Sequence, residues 1–161
     1  MSNGPFANVP NAHRMPLGRL LSMTSKAMRS RADDLLAPHG HSLTTYIVLQ
    51  AAQDAPKAGM SQRELARGMG IGGPALVRHL DRLEKEGLVR RRRDDADRRV
   101  TRITITPEGQ RVRKRLQKVM DEQDEVIRSL IDPKDAAALE RVLIQLHTFA
   151  TGEPIPGRNH A

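Results

Sequence analysis

Apolar positions along the 161-residue chain recur mostly in helical steps of three and four. Leu17, Leu20, Leu21, Thr24, Ala27, Met28, Leu35 and Leu36 form a loose stripe that predicts a first helix over 17–37, ended by Pro38 and Gly40. A second helix follows from Ser42 to about Gln53, where TTYIVLQAA is apolar enough to be mostly buried. DAPKAG reads as a turn. Ser61 and Glu64 then have the spacing of a capping box and open a short helix with Leu65, Ala66 and Met69 on its inner face. Ile71-Gly72-Gly73 is a tight connection, and Pro74 starts the helix PALVRHLDRLEKE, with Leu76, Leu80 and Leu83 on one side and Gly87 as its stop. Two short helices joined by a tight glycine turn make a helix-turn-helix.

The period then changes. Leu88–Arg93 and Val100–Ile105 read as two strands, joined through Asp94-Asp95-Ala96-Asp97, which has turn chemistry. A hairpin directly after a helix-turn-helix is a wing. Thr106-Pro107-Glu108 starts a helix of about 25 residues, with apolar positions from Val112 to Ile131. Asp132-Pro133 opens a last helix to Ala150, with Leu139, Val142, Leu143, Leu146 and Phe149 on one face. The first helix and the last two carry apolar stripes with no further element to bury them, so the expected cover is a second copy of the chain. The predicted fold class is mostly α with a small β-hairpin. A winged helix-turn-helix occupies 42–105, and 17–37 with 107–150 forms a helical dimerisation region. Residues 1–16 and 151–161, rich in proline and small polar residues, read as a flexible arm and tail.

Charge adds the first functional clue. Between Arg90 and Arg115 lie eleven Arg and Lys, ten of them Arg, against four acids, so this stretch holds +7 of the net +8. A basic cluster on an otherwise balanced chain is the footprint of a polyanion binder, and the planar guanidinium pairs bidentately with phosphate and with guanine. Composition narrows the alternatives. There is no cysteine, which excludes a disulfide scaffold, a cysteine zinc site and a thiol nucleophile. No apolar run approaches the length of a membrane span, and the N-terminus lacks the basic start and apolar block of a secretory signal, so the expected compartment is the cytoplasm. His39-Gly40-His41 has no partner at metal-ligand spacing and reads as a loop. Neither a nucleophile elbow nor a glycine-rich phosphate loop is visible, so no enzyme and no cofactor are expected.

GIGGPALVRHLDRLEKEGLVRRR followed by DDADRRVTRITITPEG resembles the MarR family of bacterial transcription regulators, most of all its SlyA branch. The resemblance covers roughly residues 17–150 and is most specific over Pro74–Gly109. It implies a homodimeric winged helix with a recognition helix in the major groove and a wing arginine in the minor groove. It also implies a small anionic aromatic ligand that weakens DNA binding. The family's base-reading positions match Pro74, Ala75, Arg78 and His79, and its wing motif matches Asp97-Arg98-Arg99. The residue pattern agrees, because only a few side chains near the start of a recognition helix reach base edges. With Leu76, Leu80 and Leu83 facing inward, Ala75, Arg78, His79 and Arg82 lie toward the other side. Arg78 can read guanine or hold a phosphate. Asp97 is expected to orient Arg98 or Arg99 through a salt bridge. Ser61 and Gln62 at the preceding helix start and Arg92 in the wing complete the expected DNA contacts.

Lys26 and Arg29 lie on one side of the first helix, and Tyr46 is the only tyrosine. With Val77 they are candidates to hold a flat aromatic carboxylate, although solvated cations and a core tyrosine fit the same pattern. The leading expectation is therefore a homodimeric, sequence-specific regulator of double-stranded DNA, answering to a small aromatic acid. The alternative is a non-specific architectural nucleoid protein, for which a capped recognition helix bearing Arg78 would be superfluous.

Overall fold

The computed structural model describes residues 15–69, 72–153 and 155. The arm expected at 1–16 lies outside the described residues except for Met15 and Pro16. So do Ile71 of the glycine connection and most of the tail at 151–161. The chain forms α1 (Leu17–Leu36), a 3-10 turn (Ala37–His39), α2 (Leu43–Asp54), β1 (Met60–Ser61), α3 (Gln62–Met69) and α4 (Gly73–Lys85). It continues through β2 (Val89–Arg93), β3 (Thr101–Ile105), α5 (Pro107–Ser129) and α6 (Pro133–Thr151). These elements divide into two compact units, one ending at Val119 and one beginning at Met120, so the division falls inside α5.

The first unit holds the core. Leu36 of α1, Val48 and Leu49 of α2, Leu65 of α3 and Leu76, Leu80 and Leu83 of α4 are fully buried, together with Val89, Ile103 and Leu116. Each such side chain contributes about 1.5–3 kcal/mol relative to exposure. Local chemistry fixes where the elements begin. Ser42 caps α2 by accepting the Thr45 N–H at 3.3 Å. The capping box of α3 is complete: Ser61 N–H donates to Glu64 Oε2 at 2.7 Å, and Glu64 N–H donates to Ser61 Oγ at 3.1 Å. Ser61 also belongs to β1, a strand of two residues that pairs antiparallel with β3, giving a sheet in the order β1-β3-β2. The hydrophobic pattern predicts only the β2–β3 hairpin, because two residues show no alternation and Ser61 already reads as a helix cap. Helix α4 begins at Gly73, one residue before the predicted start, with Gly72 at the N-cap and Pro74 in its first turn.

The exit from α4 is a Schellman turn. Gly87 adopts φ +70°, its N–H bonds to the Glu84 carbonyl at 3.0 Å, and Leu88 N–H bonds to the Leu83 carbonyl at 2.8 Å. Thr106 then closes the wing onto this turn. Its N–H reaches the Leu88 carbonyl at 3.1 Å, its hydroxyl donates to the Gly87 carbonyl at 2.6 Å, and its Oγ1 caps α5 by accepting Gly109 N–H at 3.0 Å. Gly109 lies so close that a Cβ there would collide with the Leu88 carbonyl oxygen.

The second unit contains the end of α5 and α6. Asp132 caps α6 by accepting the Lys134 N–H at 3.1 Å. Helix α5 stops at Ser129, and Leu130 and Ile131, expected within the helix, form its closing turn. The cause is Pro133, which disfavours helical geometry at the residue before it. No residue of α6 is buried; Leu139, Val142 and Leu143 are exposed, and Phe149 and Leu130 are 90% and 80% exposed. In the first unit, Leu17, Leu20 and Leu21 of α1 are exposed as well. No helix among the described residues is long and apolar enough to cross a membrane.

Substituting Gly109→Ala is expected to destabilise the fold by about 2–3 kcal/mol, because the carbonyl it meets is backbone and cannot step aside. Substituting exposed Gln110→Ala next to it is expected to stay within about 0.5 kcal/mol of the wild type. Urea denaturation of both variants checks this.

Candidate nucleic-acid interface

Burial of Leu76, Leu80 and Leu83 at 0% exposure fixes which way α4 faces. Helical steps of about 100° then turn Pro74, Ala75 and Arg78 outward, and all three are exposed. The Arg78 side chain makes no hydrogen bond or ion pair among the described residues. His79 and Arg82, expected on the same outward face, are drawn back toward α2. His79 Nε2 lies 3.4 Å from Thr45 Oγ1, and Arg82 Nη2 donates to the same oxygen at 3.3 Å. Thr45 is fully buried, so α4 is pinned to α2 through one hydroxyl. Arg82 also pairs with Glu86 at 3.3 Å. His79 is half-buried, and this burial, reinforced by Arg82 and opposed by Glu86, lowers its pKa. Pro74, Ala75 and Arg78 are therefore exposed without side-chain partners among the described residues, His79 is half-buried against Thr45, and Arg82, though bonded to Thr45 and Glu86, stays exposed on the same helix. Val77 is half-buried. At the start of α3, Ser61 is engaged in its capping box and Gln62 is half-buried.

In the wing, β2 and β3 pair antiparallel in the register Val89↔Ile105, Arg91↔Ile103 and Arg93↔Thr101. Strand alternation divides the arginine run. Arg91 shares a face with buried Val89 and points at α4. Its Nε donates to Glu84 Oε2 at 2.9 Å, its Nη2 to Asp81 Oδ1 at 2.5 Å, and its N–H to Glu84 Oε1 at 3.0 Å. The Arg91 backbone bond, followed by its side-chain bonds, holds the Glu84 carboxyl below the ordinary carboxylate range. Arg91 therefore ties the wing to α4. The sequence signal for this was present, since Asp81 and Glu84 are three residues apart on one face of α4.

The wing tip is a loop over 94–100, longer than the four-residue turn predicted, and Asp94 organises it. Asp94 Oδ1 accepts the N–H groups of Ala96 and Asp97 at 2.9 and 3.1 Å, and its Oδ2 accepts Arg102 Nε at 2.6 Å. The Arg102 bond, then those from Asp97 and Ala96, lower the Asp94 pKa. Arg102 Nη1 also reaches the Gly59 carbonyl at 3.5 Å. The expected salt bridge from Asp97 to Arg98 or Arg99 is replaced by a backbone contact: Asp97 Oδ1 accepts the Arg99 N–H at 2.9 Å. The cause is the tight loop, which brings that N–H within reach of its own neighbour's carboxylate. Arg98 and Arg99 are exposed, and neither guanidinium has a partner among the described residues. Asp94 escaped sequence reasoning because three acids in four positions look alike until the hairpin register is known.

The ligand candidates do not converge on either of the two cavities described for this chain. Lys26 and Arg29 are exposed on α1. Tyr46 is half-buried and its hydroxyl donates to Gln117 Oε1 at 2.7 Å. One cavity, about 370 Å³, lies within the second unit and is lined by Ile127, Ile131, Leu139, Leu143 and Ile155. The other, about 330 Å³, lies against the wing. No cluster of three or more His, Cys, Asp or Glu able to hold a metal occurs among the described residues.

Comparison with known proteins places this geometry. The sequence model of the MarR family matches residues 39–100, which span α2 through the wing tip. The structure of CouR from Rhodococcus jostii RHA1 bound to p-coumaroyl-CoA is 27% identical, with a TM-score of 0.76 over 91% of this chain and 99% of that one. A MarR-family transcriptional regulator from Rhodococcus sp. RHA1 is also 27% identical, with a TM-score of 0.75 over 86% and 95% of the two chains. MepR of S. aureus, in a DNA complex, is 21% identical with a TM-score of 0.75, covering 84% of this chain and 98% of that chain. The fold is the MarR-like winged helix.

His79 and His41 give the fold a signed pH dependence. Burial is the main cause of the lowered pKa at both; at His41, Glu86 opposes it while Arg115, Arg82 and His39 reinforce it. Each histidine is therefore protonated first in the unfolded chain. Their contribution is complete above the ordinary value of about 6.5 and declines as the pH falls below it. The melting temperature is expected to drop between about pH 7 and pH 5, and His79→Gln to flatten that drop. A wild-type slope in His79→Gln would contradict the assignment.

Proposed function

We propose that this chain is a MarR-type transcription regulator that binds specific duplex DNA as a homodimer. The carrying observation is the exposed Pro74, Ala75 and Arg78 face of α4, held rigidly by Thr45 beneath it and Arg91 beside it, with Arg78 left without an internal partner. A guanidinium projecting from the start of a recognition helix suits guanine O6 and N7 in the major groove. Arg98 and Arg99 at a tip preordered by Asp94 suit an A·T-rich minor groove, whose potential is more negative. The resemblance over Pro74–Gly109 supports a place near the SlyA branch. The solved MepR–DNA complex, on the same fold, supports DNA as the partner.

The dimer is supported by apolar side chains left in solvent. Leu17, Leu20 and Leu21 on α1 and Val126, Leu139, Val142, Leu143 and Phe149 on α5 and α6 are too many exposed large residues for helices that work alone. The helical dimerisation region is accordingly assigned to 17–37 and 107–150. For regulation we carry over the ligand class implied by the family resemblance, a small aromatic acid, with Lys26, Arg29, Tyr46 and Val77 as its candidate contacts. CouR, bound to p-coumaroyl-CoA, shows that a protein of this fold holds an aromatic acyl compound.

Two measurements test this reading. Light scattering at micromolar concentration is expected to give twice 17.9 kDa; a monomer that still binds DNA tightly would refute the dimer. Arg78→Ala is expected to cost about 1–3 kcal/mol on a selected duplex and much less on random duplex. Equal losses on both would recast Arg78 as a phosphate contact and favour a non-specific architectural role.

A further inference from the structure

The wing has two faces, and only one of them looks toward the recognition helix. Arg91, bonded to Asp81 and Glu84 of α4, marks that inner face. Arg90 and Arg92 alternate to the opposite side, where they stand directly across from Thr104 and Arg102 in the β2–β3 register. All four line the 330 Å³ groove against the wing, which Lys57 from the turn between α2 and β1 closes on another side. The side chains of Arg90, Arg92 and Lys57 have no partner among the described residues, and all three are exposed. Two acids share the groove. Asp94 is neutralised by Arg102 at 2.6 Å, which leaves Asp95 as the one exposed carboxylate against these cations and Arg93.

Positive charge on this face is uncompensated. Arg102 is paired with Asp94 and lies near Glu64, but Arg92 directly across from it, and Arg90 about 6.6 Å away along the strand on the same face, have no such partner among the described residues. An anion in the groove offsets that charge. Planar guanidinium forks favour phosphate oxygens, which they grip bidentately. The groove is continuous with the wing tip that carries Arg98 and Arg99, yet it faces away from α4. Phosphates bound here would meet the wing on the face opposite the one that Arg91 turns to α4.

We propose that Lys57, Arg90 and Arg92 form a second phosphate-binding surface that grips the DNA backbone outside the segment held by α4 and the wing tip. This inference rests on the DNA-binding reading above. It gives Arg92 a separate task from Arg78: it extends the footprint and adds affinity without reading sequence.

The test compares the full-length wild type with Arg90→Gln/Arg92→Gln by fluorescence anisotropy. One duplex of about 20 base pairs carries a selected core, two half-sites one helical turn apart. The other, of about 40 base pairs, centres the same core in arbitrary flanks. The wild type is expected to bind the longer duplex more tightly. The variant is expected to lose about tenfold on the longer duplex and less than about twofold on the shorter. Its slope of log K against log salt is expected to shrink by about two per protomer on the longer duplex alone. Arg90→Lys/Arg92→Lys, which keeps the charge but not the bidentate fork, is expected to restore the salt slope and only part of the affinity. Unchanged melting temperatures show that the variants fold. Equal losses on both duplexes would place these arginines in the core contact and overturn the proposal, as would no loss on either. If the wild type binds neither duplex, the DNA-binding reading fails first and this extension falls with it.

Discussion

Burial of three leucines sets the rotation of α4, and what this protein presents to a partner depends on that. Leu76, Leu80 and Leu83 have no exposed surface. Together they favour this rotation by several kcal/mol, at about 1.5–3 kcal/mol each, more than any surface arginine gains from choosing where to point. A helix turned by one residue would aim Arg78 elsewhere. The shared Thr45 hydroxyl beneath α4 and the Arg91 fork at its side add directional bonds to a packing arrangement that already has one answer. The cost is that His79 is half-buried and Arg82 is tied to Thr45 and Glu86, so neither is as available as Arg78. The gain is that Arg78 projects from an element held on two sides, as its proposed base-reading role requires.

The same packing sorts charges that the sequence shows only as a run. Of the arginines in the wing, Arg91 and Arg102 are structural: one ties the wing to α4, the other ties the wing tip to β3 and to the turn before β1. Arg90, Arg92, Arg98 and Arg99 stay available. An excess of positive charge attracts any polyanion. The proposed DNA-binding role of the wing calls for an ordered tip, and here Asp94 orders it through three hydrogen bonds. An ordered tip loses less conformational entropy on binding than a mobile one.

Much of this was legible in the residues. The helices follow from periodicity, and the capping box at Ser61 and Glu64 forms as its spacing predicts. The stop at Gly87 and the start at Thr106 follow from turn and cap chemistry. Three things were not legible, each for a physical reason. β1 is too short to show alternation, and its pairing with β3 is a contact across more than forty residues of chain. The hydrogen bonds of His79 and Arg82 to Thr45 depend on a polar residue in an apolar helix that reads as neutral in any periodicity count. Which of Asp94, Asp95 and Asp97 orders the wing depends on register, because only Asp94 sits where the strands part and can reach both the loop N–H groups and Arg102.

The central claim is that α4 reads sequence on two symmetry-related copies of this chain. Selection of bound molecules from a pool of random duplexes tests it most directly. The account predicts enrichment of a two-fold symmetric motif whose half-sites lie about one helical turn apart, with A·T-rich segments beside them. Retention of the pool without enrichment of any motif would contradict it.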